Sequence, residues 1–365
     1  MKYYLIAGER SGDLHGSNLM KQLAIQDEQA DFRFFGGDYM KNAGGHLTVH
    51  YRQLAFMGFL EVIKNLGTIR KYLQLCKEDI RDFAPDAIIL IDYAGFNLRV
   101  AKWAKKNNYR VFYYISPKLW AWNSKRANKI KRYVDHMFAI MPFEPKFYKK
   151  FGYSDVSYVG NPVVDAINDF TPEPDFAEKH GLNSTNKKRI AVLPGSRKQE
   201  LAHILPALTA VINSNPEHLY LVAAVDNLDE DLYAEIRELP NVNLITGNTY
   251  NILAIADAAL VTSGTATLET ALWGVPQVVL YKGNPVSIFI ARLLIRVKYI
   301  SLVNLILDEP LVAELIQDKC TPENIASELQ KILATPTDYS RLKQAIGEAR
   351  ASENAAIGIY NVIIG

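Results

Sequence analysis

Two short turns rich in glycine and hydroxyl residues carry the clearest chemistry in this sequence. Residues 193–197 read LPGSR, and residues 261–269 read VTSGTATLE. Each turn follows an apolar run and precedes a helical pattern, so backbone N–H groups at the start of a helix would face a bound anion. Taken singly, each turn is equally well explained as a capped helix. Occurring together, they favour a site for the diphosphate of a nucleotide sugar.

The side chains of these turns extend the same interpretation. Arg197 supplies a guanidinium group, which matches the geometry of a diphosphate. Glu269 falls about one turn into the second helix, where a carboxylate can bind the two hydroxyl groups of a ribose. The predicted donor-binding residues of the two turns are Gly195, Ser196, Arg197, Ser263, Gly264, Thr265 and Glu269.

A third glycine turn, GERSGD at residues 8–13, follows the first apolar run of the chain. Its spacing differs from GxGxxG, which makes a dinucleotide a poor ligand. The simplest interpretation is a strand-to-helix turn in which Asp13 caps the helix.

The elements that must position these turns alternate between strand and helix. Continuous apolar runs are typical of parallel strands covered on both faces. They predict strands at 3–7, 32–35, 87–91, 111–115 and 137–140, and then at 189–193, 219–224, 243–245, 258–261 and 277–280. Helices are expected at about 13–24, 322–333 and 339–351.

This alternation predicts an α/β fold with two Rossmann-like, doubly wound domains and an inter-domain cleft for the ligands. Residues 1–168 would form the N-terminal domain, and residues 187–344 the C-terminal domain, which contains both turns of the predicted nucleotide-sugar site. The stretch 168–188 contains Pro172 and Pro174 and few apolar residues, so it is interpreted as a linker. Residues from about 345 to 365 are expected to pack on the first domain.

Composition narrows the class of protein. The chain has 365 residues, of which 49% are hydrophobic and 22% charged, so it can form two cores and is not disordered. A formal net charge of +2 and the lack of a known motif argue against nucleic acid as a partner. Cys76 and Cys320 show no metal or disulfide spacing, and we expect neither a signal peptide nor a membrane-spanning helix.

Over nearly its whole length the sequence resembles the lipid-A-disaccharide synthase family. The motifs that carry the resemblance are AGERSGDLHG near the start, IDYAGFN at 91–97, SPKLWAW at 116–122, MPFE at 141–144, VGNP at 159–162, LPGSRKQE at 193–200, SGTATLE at 263–269, YISLVNLI at 299–306 and VAELIQ at 312–317. Their order, with the tryptophan motif between the glycine turns, makes chance similarity improbable.

The resemblance implies an inverting glycosyltransferase of the two-domain GT-B type, without a cofactor. Such an enzyme joins a UDP-linked diacylglucosamine to diacylglucosamine 1-phosphate through a β-1′,6 linkage and releases UDP. Carried over to this chain, Arg197 would bind the donor diphosphate, and Asn304, Glu314 and Gln317 would be further donor-side residues. Glu9 and Ser11 would face the acceptor or the reacting centre.

The catalytic base is where this sequence departs from the family. The family often carries a second aspartate in the pattern IDxPDFN, and here that position is Gly95. Asp92, which ends a strand on the ligand side, is the favoured base, with Glu9, Asp13 and His15 as alternatives; Asp92 is equally well explained as a helix cap. Asp13, His15, Ser11 and Asn97 are predicted to contact the acceptor.

The leaving group is expected to depart without a metal ion. Arg197 and two helix N-termini could stabilise UDP, and the histidines are not spaced as ligands.

Substrates with acyl chains also imply contact with a membrane. Residues 54–66 place Phe56, Met57, Phe59, Leu60 and Ile63 at near-helical spacing, which fits an interfacial helix as well as a core-facing one. A basic run of Lys125, Arg126, Lys129, Lys131 and Arg132 follows two tryptophans and is either a lipid-binding surface or a solvated helix face. We therefore expect a cytoplasmic protein associated peripherally with the cytoplasmic face of the inner membrane, and the resemblance implies a homodimer.

Two other functions remain open at this point. One is another UDP-sugar enzyme of the same fold, such as a UDP-N-acetylglucosamine 2-epimerase or a peptidoglycan glycosyltransferase. The second, which the missing aspartate makes conceivable, is an inactive protein that binds nucleotide sugars.

Overall fold

The chain divides into two compact units. The computed structural model describes residues 1–54, 66–182, 187–226, 228–284, 297–348 and 350–365. The first unit comprises Met1–Pro162 together with Glu348–Gly365, and the second comprises Val163–Gly347.

The first unit is built on a parallel sheet. Its strands are β1 (Lys2–Ala7), β2 (Asp31–Gly36), β3 (His46–His50), β4 (Ala87–Ile91), β5 (Val111–Tyr114), β6 (His136–Ala139) and β7 (Val156–Tyr158). Across the sheet they follow the order β3-β2-β1-β4-β5-β6-β7, and every pairing is parallel.

The second unit repeats this plan. Its strands are β8 (Arg189–Leu193), β9 (Leu219–Ala224), β10 (Val242–Thr246), β11 (Ala258–Thr262), β12 (Gln277–Tyr281) and β13 (Ala313–Ile316). Their order is β10-β9-β8-β11-β12-β13, again with parallel pairing.

Helices connect the strands and cover the sheets. They are α1 (Arg10–Gln26), α2 (Asp38–Ala43), α3 (Leu66–Phe83), α4 (Ala94–Lys106), α5 (Ala127–Tyr133), α6 (Glu144–Lys149), α7 (Pro162–Asn168), α8 (Phe176–Lys179), α9 (Lys198–Ser214), α10 (Ala234–Arg237), α11 (Thr249–Ile255), α12 (Thr265–Leu272), α13 (Leu302–Leu307), α14 (Pro322–Ala334), α15 (Ser340–Ile346) and α16 (Ala351–Ile364). Within the described ranges, none of these helices combines the length and the apolar character needed to span a bilayer.

The continuous apolar strands follow from burial on both faces. Tyr4 and Ile6 of β1 enter the core on one side of the sheet, and Tyr3 and Leu5 enter the core on the opposite side. Because successive side chains of a strand point to opposite faces, each strand between two helical layers must be apolar at every position.

The last helix returns to the first unit. Helix α16 packs on α1, and Nη1 of Arg110 donates to the carbonyl oxygens of Val362 at 2.8 Å and Ile363 at 2.7 Å. A Cβ on Gly358 would lie 2.5 Å from the ring of Phe138, so glycine allows the helix to approach the sheet closely.

The predicted fold class is confirmed, since both units are parallel-sheet α/β structures. Several elements differ from the sequence prediction. Helix α1 begins at Arg10 with Glu9 as its N-cap, three residues before the predicted start. The helix predicted over 339–351 is two helices separated at Gly347, whose φ of +72° ends α15. Strands β3, β7 and β13 were not predicted, because their residues are only partly buried.

The two sheets share one topological feature that matters for function. The strand order reverses between β1 and β4 in the first unit and between β8 and β11 in the second. In open α/β sheets, ligands bind beyond the carboxyl ends of the strands at such a reversal. Each unit therefore has one favoured place for a site.

Candidate functional site

The first candidate site lies where the turns after β1 and β4 meet. A Cβ on Gly8 would lie 2.2 Å from Cγ of Tyr93, so the tyrosine ring packs directly on the glycine backbone. The Tyr93 hydroxyl donates to the carbonyl of Leu54 at 3.1 Å, which fixes the ring. Only glycine permits this approach, and it brings Glu9 close enough for its charge to act on Asp92.

The backbone that carries Asp92 is strained. Asp92 and Tyr93 have φ angles of +42° and +45°, in the left-handed region that non-glycine residues seldom occupy. The carbonyl oxygen of Asp92 accepts hydrogen bonds from the Tyr113 hydroxyl and, at 3.0 Å, from Nδ2 of Asn97. These contacts hold the turn in place, as expected where strain is retained at a functional site.

The Asp92 carboxyl group has the properties of a general base. Burial raises its pKa, the neighbouring charge of Glu9 raises it further, and Lys118 acts in the opposite direction, which leaves the pKa at about 6. A base with a pKa just below neutral is mostly ionised at pH 7 and still binds a proton strongly enough to assist catalysis.

Asp13 has a structural role that corrects its predicted one. Its carboxylate is buried and accepts hydrogen bonds from the backbone N–H groups of Gly37 at 2.7 Å, Tyr39 at 3.0 Å and Met40 at 3.1 Å. It therefore caps α2. The prediction that it caps its own helix is wrong, because the N-cap of α1 is Glu9. Its contact with the acceptor stays a prediction.

Asn97 also has a structural role. Its side chain is fully buried, and Nδ2 donates to the carbonyl oxygens of Ile6, Ile91 and Asp92 at 3.0–3.4 Å. These bonds join the ends of β1 and β4. Asn97 therefore supports the turn that holds Asp92, and its contact with the acceptor stays a prediction.

The other two acceptor-side residues lie on α1. Ser11 is exposed in the first turn of the helix, beside Glu9. His15 is half-buried, and burial lowers its pKa to about 4, so its imidazole is neutral at pH 7 and offers a hydrogen bond without a positive charge.

Glu144 is a buried acid at the end of the MPFE motif, and the sequence analysis assigns it no role. Its carboxylate accepts from Nε1 of Trp120 at 3.2 Å and from the backbone N–H of Met141 at 3.1 Å, and burial raises its pKa to about 7. Nearby, the hydroxyl groups of Ser116 and Tyr148 lie 2.7 Å apart. These bonds hold Ser116 and Trp120 of the SPKLWAW segment in place, and Lys118 lies between them in the sequence.

The second candidate site lies at the ends of β8 and β11, which are adjacent strands. Gly195, with φ of +111°, lets the chain turn tightly after β8. Glu200 holds this turn from the first turn of α9: it accepts from the Ser196 N–H at 3.3 Å and pairs with Nη1 of Arg197 at 3.1 Å. The Arg197 side chain is nevertheless 73% exposed, so its guanidinium is accessible to a ligand.

The turn after β11 exposes backbone at the start of α12. Gly264 and Thr265 are exposed, whereas the Ser263 hydroxyl donates to the carbonyl of Ile300 at 2.9 Å. Thr267 is buried and bonds to the carbonyl of Gly264 at 2.8 Å, which fixes the turn. The N–H groups that begin a helix have no carbonyl partner within it, and those of α12 follow β11, the strand next to β8.

Glu269 is half-buried in α12, and burial raises the pKa of its carboxyl group. Its Oε1 accepts a hydrogen bond from the Tyr250 hydroxyl at 3.1 Å. Tyr250 belongs to α11 and lies outside the sequence motifs.

The remaining donor-side residues bond to the protein's own backbone. Glu314 accepts from the N–H groups of Ile300 at 3.0 Å and Ser301 at 2.9 Å, and from Nδ2 of Asn304 at 2.9 Å. Gln317 exchanges two hydrogen bonds with the backbone of Gly283. These contacts of Glu314, Asn304 and Gln317 are all with residues that follow β12, and their role in donor binding stays a prediction.

The predicted membrane-contact residues Phe56, Met57, Phe59, Leu60 and Ile63 lie outside the described residues. In the part of the chain that is described, no three His, Cys, Asp or Glu side chains come together as a metal-binding group.

Comparison with known proteins gives consistent matches over the whole chain. A family model described as lipid-A-disaccharide synthetase matches residues 3–357. A lipid-A-disaccharide synthase from Syntrophus aciditrophicus is 39% identical, with 98% of this chain and 97% of the relative covered. The enzyme of that name from Geobacter metallireducens is 35% identical, with 99% and 97% covered.

Solved structures show the same fold at low sequence identity. The UDP-GlcNAc 2-epimerase from Neisseria meningitidis, bound to UDP-GlcNAc, has a TM-score of 0.66 at 14% identity, with both chains fully covered. The glycotransferase of kitacinnamycin has a TM-score of 0.66 at 13% identity, with 99% of each chain covered. These matches place both units in the GT-B fold.

The contact between Gly8 and Tyr93 predicts unequal effects of two glycine substitutions in the same unit. Gly8→Ala should destabilise the unit by about 1–3 kcal/mol, because the new methyl group displaces the Tyr93 ring. Gly95→Ala should be neutral or stabilising by up to about 1 kcal/mol, because its Cβ would meet no atom within 4 Å and alanine favours helix α4. Urea denaturation followed by circular dichroism measures both, and a Gly8→Ala protein as stable as wild type would contradict the proposed packing.

Proposed function

The chain belongs to the lipid-A-disaccharide synthase family, and we propose that this glycosyltransferase transfers 2,3-diacylglucosamine from its UDP donor to 2,3-diacylglucosamine 1-phosphate. The products are the β-1′,6-linked disaccharide 1-phosphate and UDP. One observation carries the proposal beyond the family name. At the strand reversal of the first unit lies Asp92, which has a strained backbone and a pKa of about 6. At the strand reversal of the second unit lie two turns suited to binding an anion.

The second unit binds the UDP donor in this proposal. The exposed Arg197 guanidinium and the N–H groups that begin α12 contact the diphosphate, while Gly195, Ser196, Ser263, Gly264 and Thr265 shape the two turns. Glu269 binds the ribose hydroxyls. Asn304, Glu314 and Gln317 act through the loops that they support. As the bond from the anomeric carbon to UDP breaks, its electron pair passes to the diphosphate, where preorganised positive groups stabilise it.

The first unit supplies the base. Asp92 accepts the proton of the acceptor hydroxyl while the oxygen of that hydroxyl forms the new bond to the anomeric carbon. Glu9 keeps Asp92 basic through its negative charge, and Ser11 and His15 contact the acceptor. Asp92 thereby acts as the general base, a role for which the family often uses an aspartate at the position of Gly95.

We also propose that the protein associates peripherally with the cytoplasmic face of the inner membrane. Trp122 is 53% exposed, and the guanidinium carbon of Arg126 lies 5.2 Å from the centre of its ring. Lys125, Lys129, Lys131 and Arg132 are exposed on the same short segment. An exposed tryptophan surrounded by cations is typical of a surface that binds anionic lipid.

Release of UDP with and without acceptor tests the reaction. We expect release that requires the monosaccharide 1-phosphate lipid, and Arg197→Ala should lower kcat/KM by on the order of 10²-fold because the leaving group loses a positive partner. Arg341→Ala, at an exposed arginine paired with Glu309 in the same unit, serves as the control and should stay close to wild type. Epimerisation of the donor without acceptor, or tight binding without turnover, would instead support the two alternative functions.

The pKa of Asp92 predicts the acid limb of the pH–rate profile. A base must be ionised, so kcat/KM should fall as the pH drops below about 6. Glu9→Gln removes the charge that raises this pKa and should shift the limb to lower pH, whereas Lys118→Met removes the opposing cation and should shift it to higher pH. Initial rates from acid to neutral pH measure both. Limbs that do not move, or an Asp92→Asn protein with normal rates, would refute this assignment.

Sedimentation with lipid vesicles tests the membrane proposal. We expect binding to anionic vesicles that weakens in high salt, and weak binding to neutral vesicles. Replacing Lys125, Lys129 and Lys131 together by Gln should lower partitioning by on the order of 10²-fold at low salt, at about 1 kcal/mol per cation. Replacing Lys319, Lys331 and Lys343 in the second unit is the control of equal charge, and an equal loss in both proteins would show only a general charge effect.

A further inference from the structure

A tyrosine from a neighbouring helix holds the carboxylate of Glu269. Tyr250 lies in the first turn of α11, and its hydroxyl donates to Oε1 of Glu269 at 3.1 Å. Glu269 itself lies in the second turn of α12. The tyrosine is outside the SGTATLE motif, so the contact exists only because the fold brings the two helices together.

The ring of Tyr250 has little freedom to turn. It lies 5.3 Å from the ring of Phe170, edge to face, and 6.0 Å from the ring of Trp273. Next along the helix, Asn251 accepts from the backbone N–H of Glu173 at 2.9 Å and donates to Asn248 at 3.1 Å. The phenol therefore donates from a fixed position, in contrast to a flexible surface tyrosine.

The charges favour a neutral phenol beside an ionised carboxylate. Burial, with the added effect of Glu269, raises the pKa of Tyr250, so the phenol keeps its proton at neutral pH. Its hydrogen bond in turn favours the ionised form of Glu269, whose pKa burial raises. A carboxylate has about four acceptor positions, and the phenol occupies one of them, which leaves both oxygens able to accept from a ligand.

We propose that Tyr250 is a positioning residue that orients the Glu269 carboxylate toward the ribose diol and thereby makes the site selective for ribonucleotides over deoxyribonucleotides. This inference rests on the proposed function, in which Glu269 binds the ribose of UDP. A single hydrogen bond at Oε1 prevents the carboxylate plane from rotating about the last side-chain bond. Both hydroxyls of the ribose diol can then donate hydrogen bonds to the Glu269 carboxylate, without the entropic cost of ordering this side chain on binding.

Selectivity follows from the partial burial of the carboxylate. When a hydroxyl is missing from the ligand, the carboxylate oxygen that would accept its hydrogen bond is left without a partner. Such sites reject the deficient ligand more strongly than apolar pockets do. A carboxylate free to rotate would adjust to the one hydroxyl that remains. Loss of the Tyr250 hydroxyl should therefore weaken discrimination as well as affinity.

Calorimetric titration of the full chain with UDP, 2′-deoxy-UDP and 3′-deoxy-UDP tests this inference. For wild type we expect UDP to bind roughly tenfold more tightly than either deoxy form. Tyr250→Phe, which removes one oxygen and keeps the ring, should lower UDP affinity roughly fivefold and bring the three affinities within about twofold of one another. In a Glu269→Ala background, Tyr250→Phe should have no further effect, because the tyrosine acts through the carboxylate.

Tyr220→Phe provides the matched control. Tyr220 is a buried tyrosine near the amino-terminal end of β9, and its hydroxyl donates to the carbonyl of Asn215, which precedes that strand. The candidate site lies at the carboxyl ends of the strands. This variant should keep both affinity and selectivity. A Tyr250→Phe protein that keeps the wild-type preference, or that loses affinity equally for all three nucleotides, would overturn the inference and leave the proposed function intact. A wild-type protein that binds none of the nucleotides would refute both.

Discussion

The strained turn after β4 is the constraint on which the first site depends. Two successive non-glycine residues, Asp92 and Tyr93, adopt left-handed backbone angles, at a cost of about 1–2 kcal/mol each. The contacts that offset this cost are tertiary: the Tyr113 hydroxyl and Asn97 bind the Asp92 carbonyl, and the Tyr93 ring packs on Gly8. If any of them were lost, the turn could relax, and Asp92 would lose the burial and the neighbouring charge of Glu9 that raise its pKa. The pKa of Asp92 is therefore a property of the packing.

The two units have the same strand order and differ in the chemistry at its reversal. Between β1 and β4 the chain places carboxylates, and between β8 and β11 it places glycine turns, an arginine and a helix start. Glycosyl transfer with inversion needs a group that takes a proton and a group that accepts the charge of the leaving diphosphate. In the proposed reaction, the carboxylates serve the first task and the turns with the arginine serve the second. A duplicated sheet provides two positions of the same kind and allows each to be specialised.

How much of this was predictable depends on what each residue contacts. Buried parallel strands such as Ala87–Ile91 and Leu219–Ala224 were predicted to the residue, because burial on both faces requires an unbroken apolar run. Strand His46–His50 was missed because it lies at the edge of its sheet and is half polar. The start of α1 was misplaced because Asp13, a favourable cap by its type, bonds to the β2–α2 turn instead.

The site residues show a sharper limit of sequence reasoning. A motif marks positions that matter, but it does not tell whether a polar side chain bonds to a ligand or to the protein's own backbone. Hydrogen bonds to backbone groups are made by three motif residues, Asn97, Asn304 and Glu314. Only the fold reveals these contacts. Tyr250 shows the converse, because it lies outside every quoted motif and yet bonds to a motif carboxylate 19 residues away. A buried acid needs fixed donors around it, and those donors come from whichever helix the fold places alongside. The donors that orient a half-buried carboxylate are therefore found among its neighbours in space, because their distance along the chain does not indicate the contact.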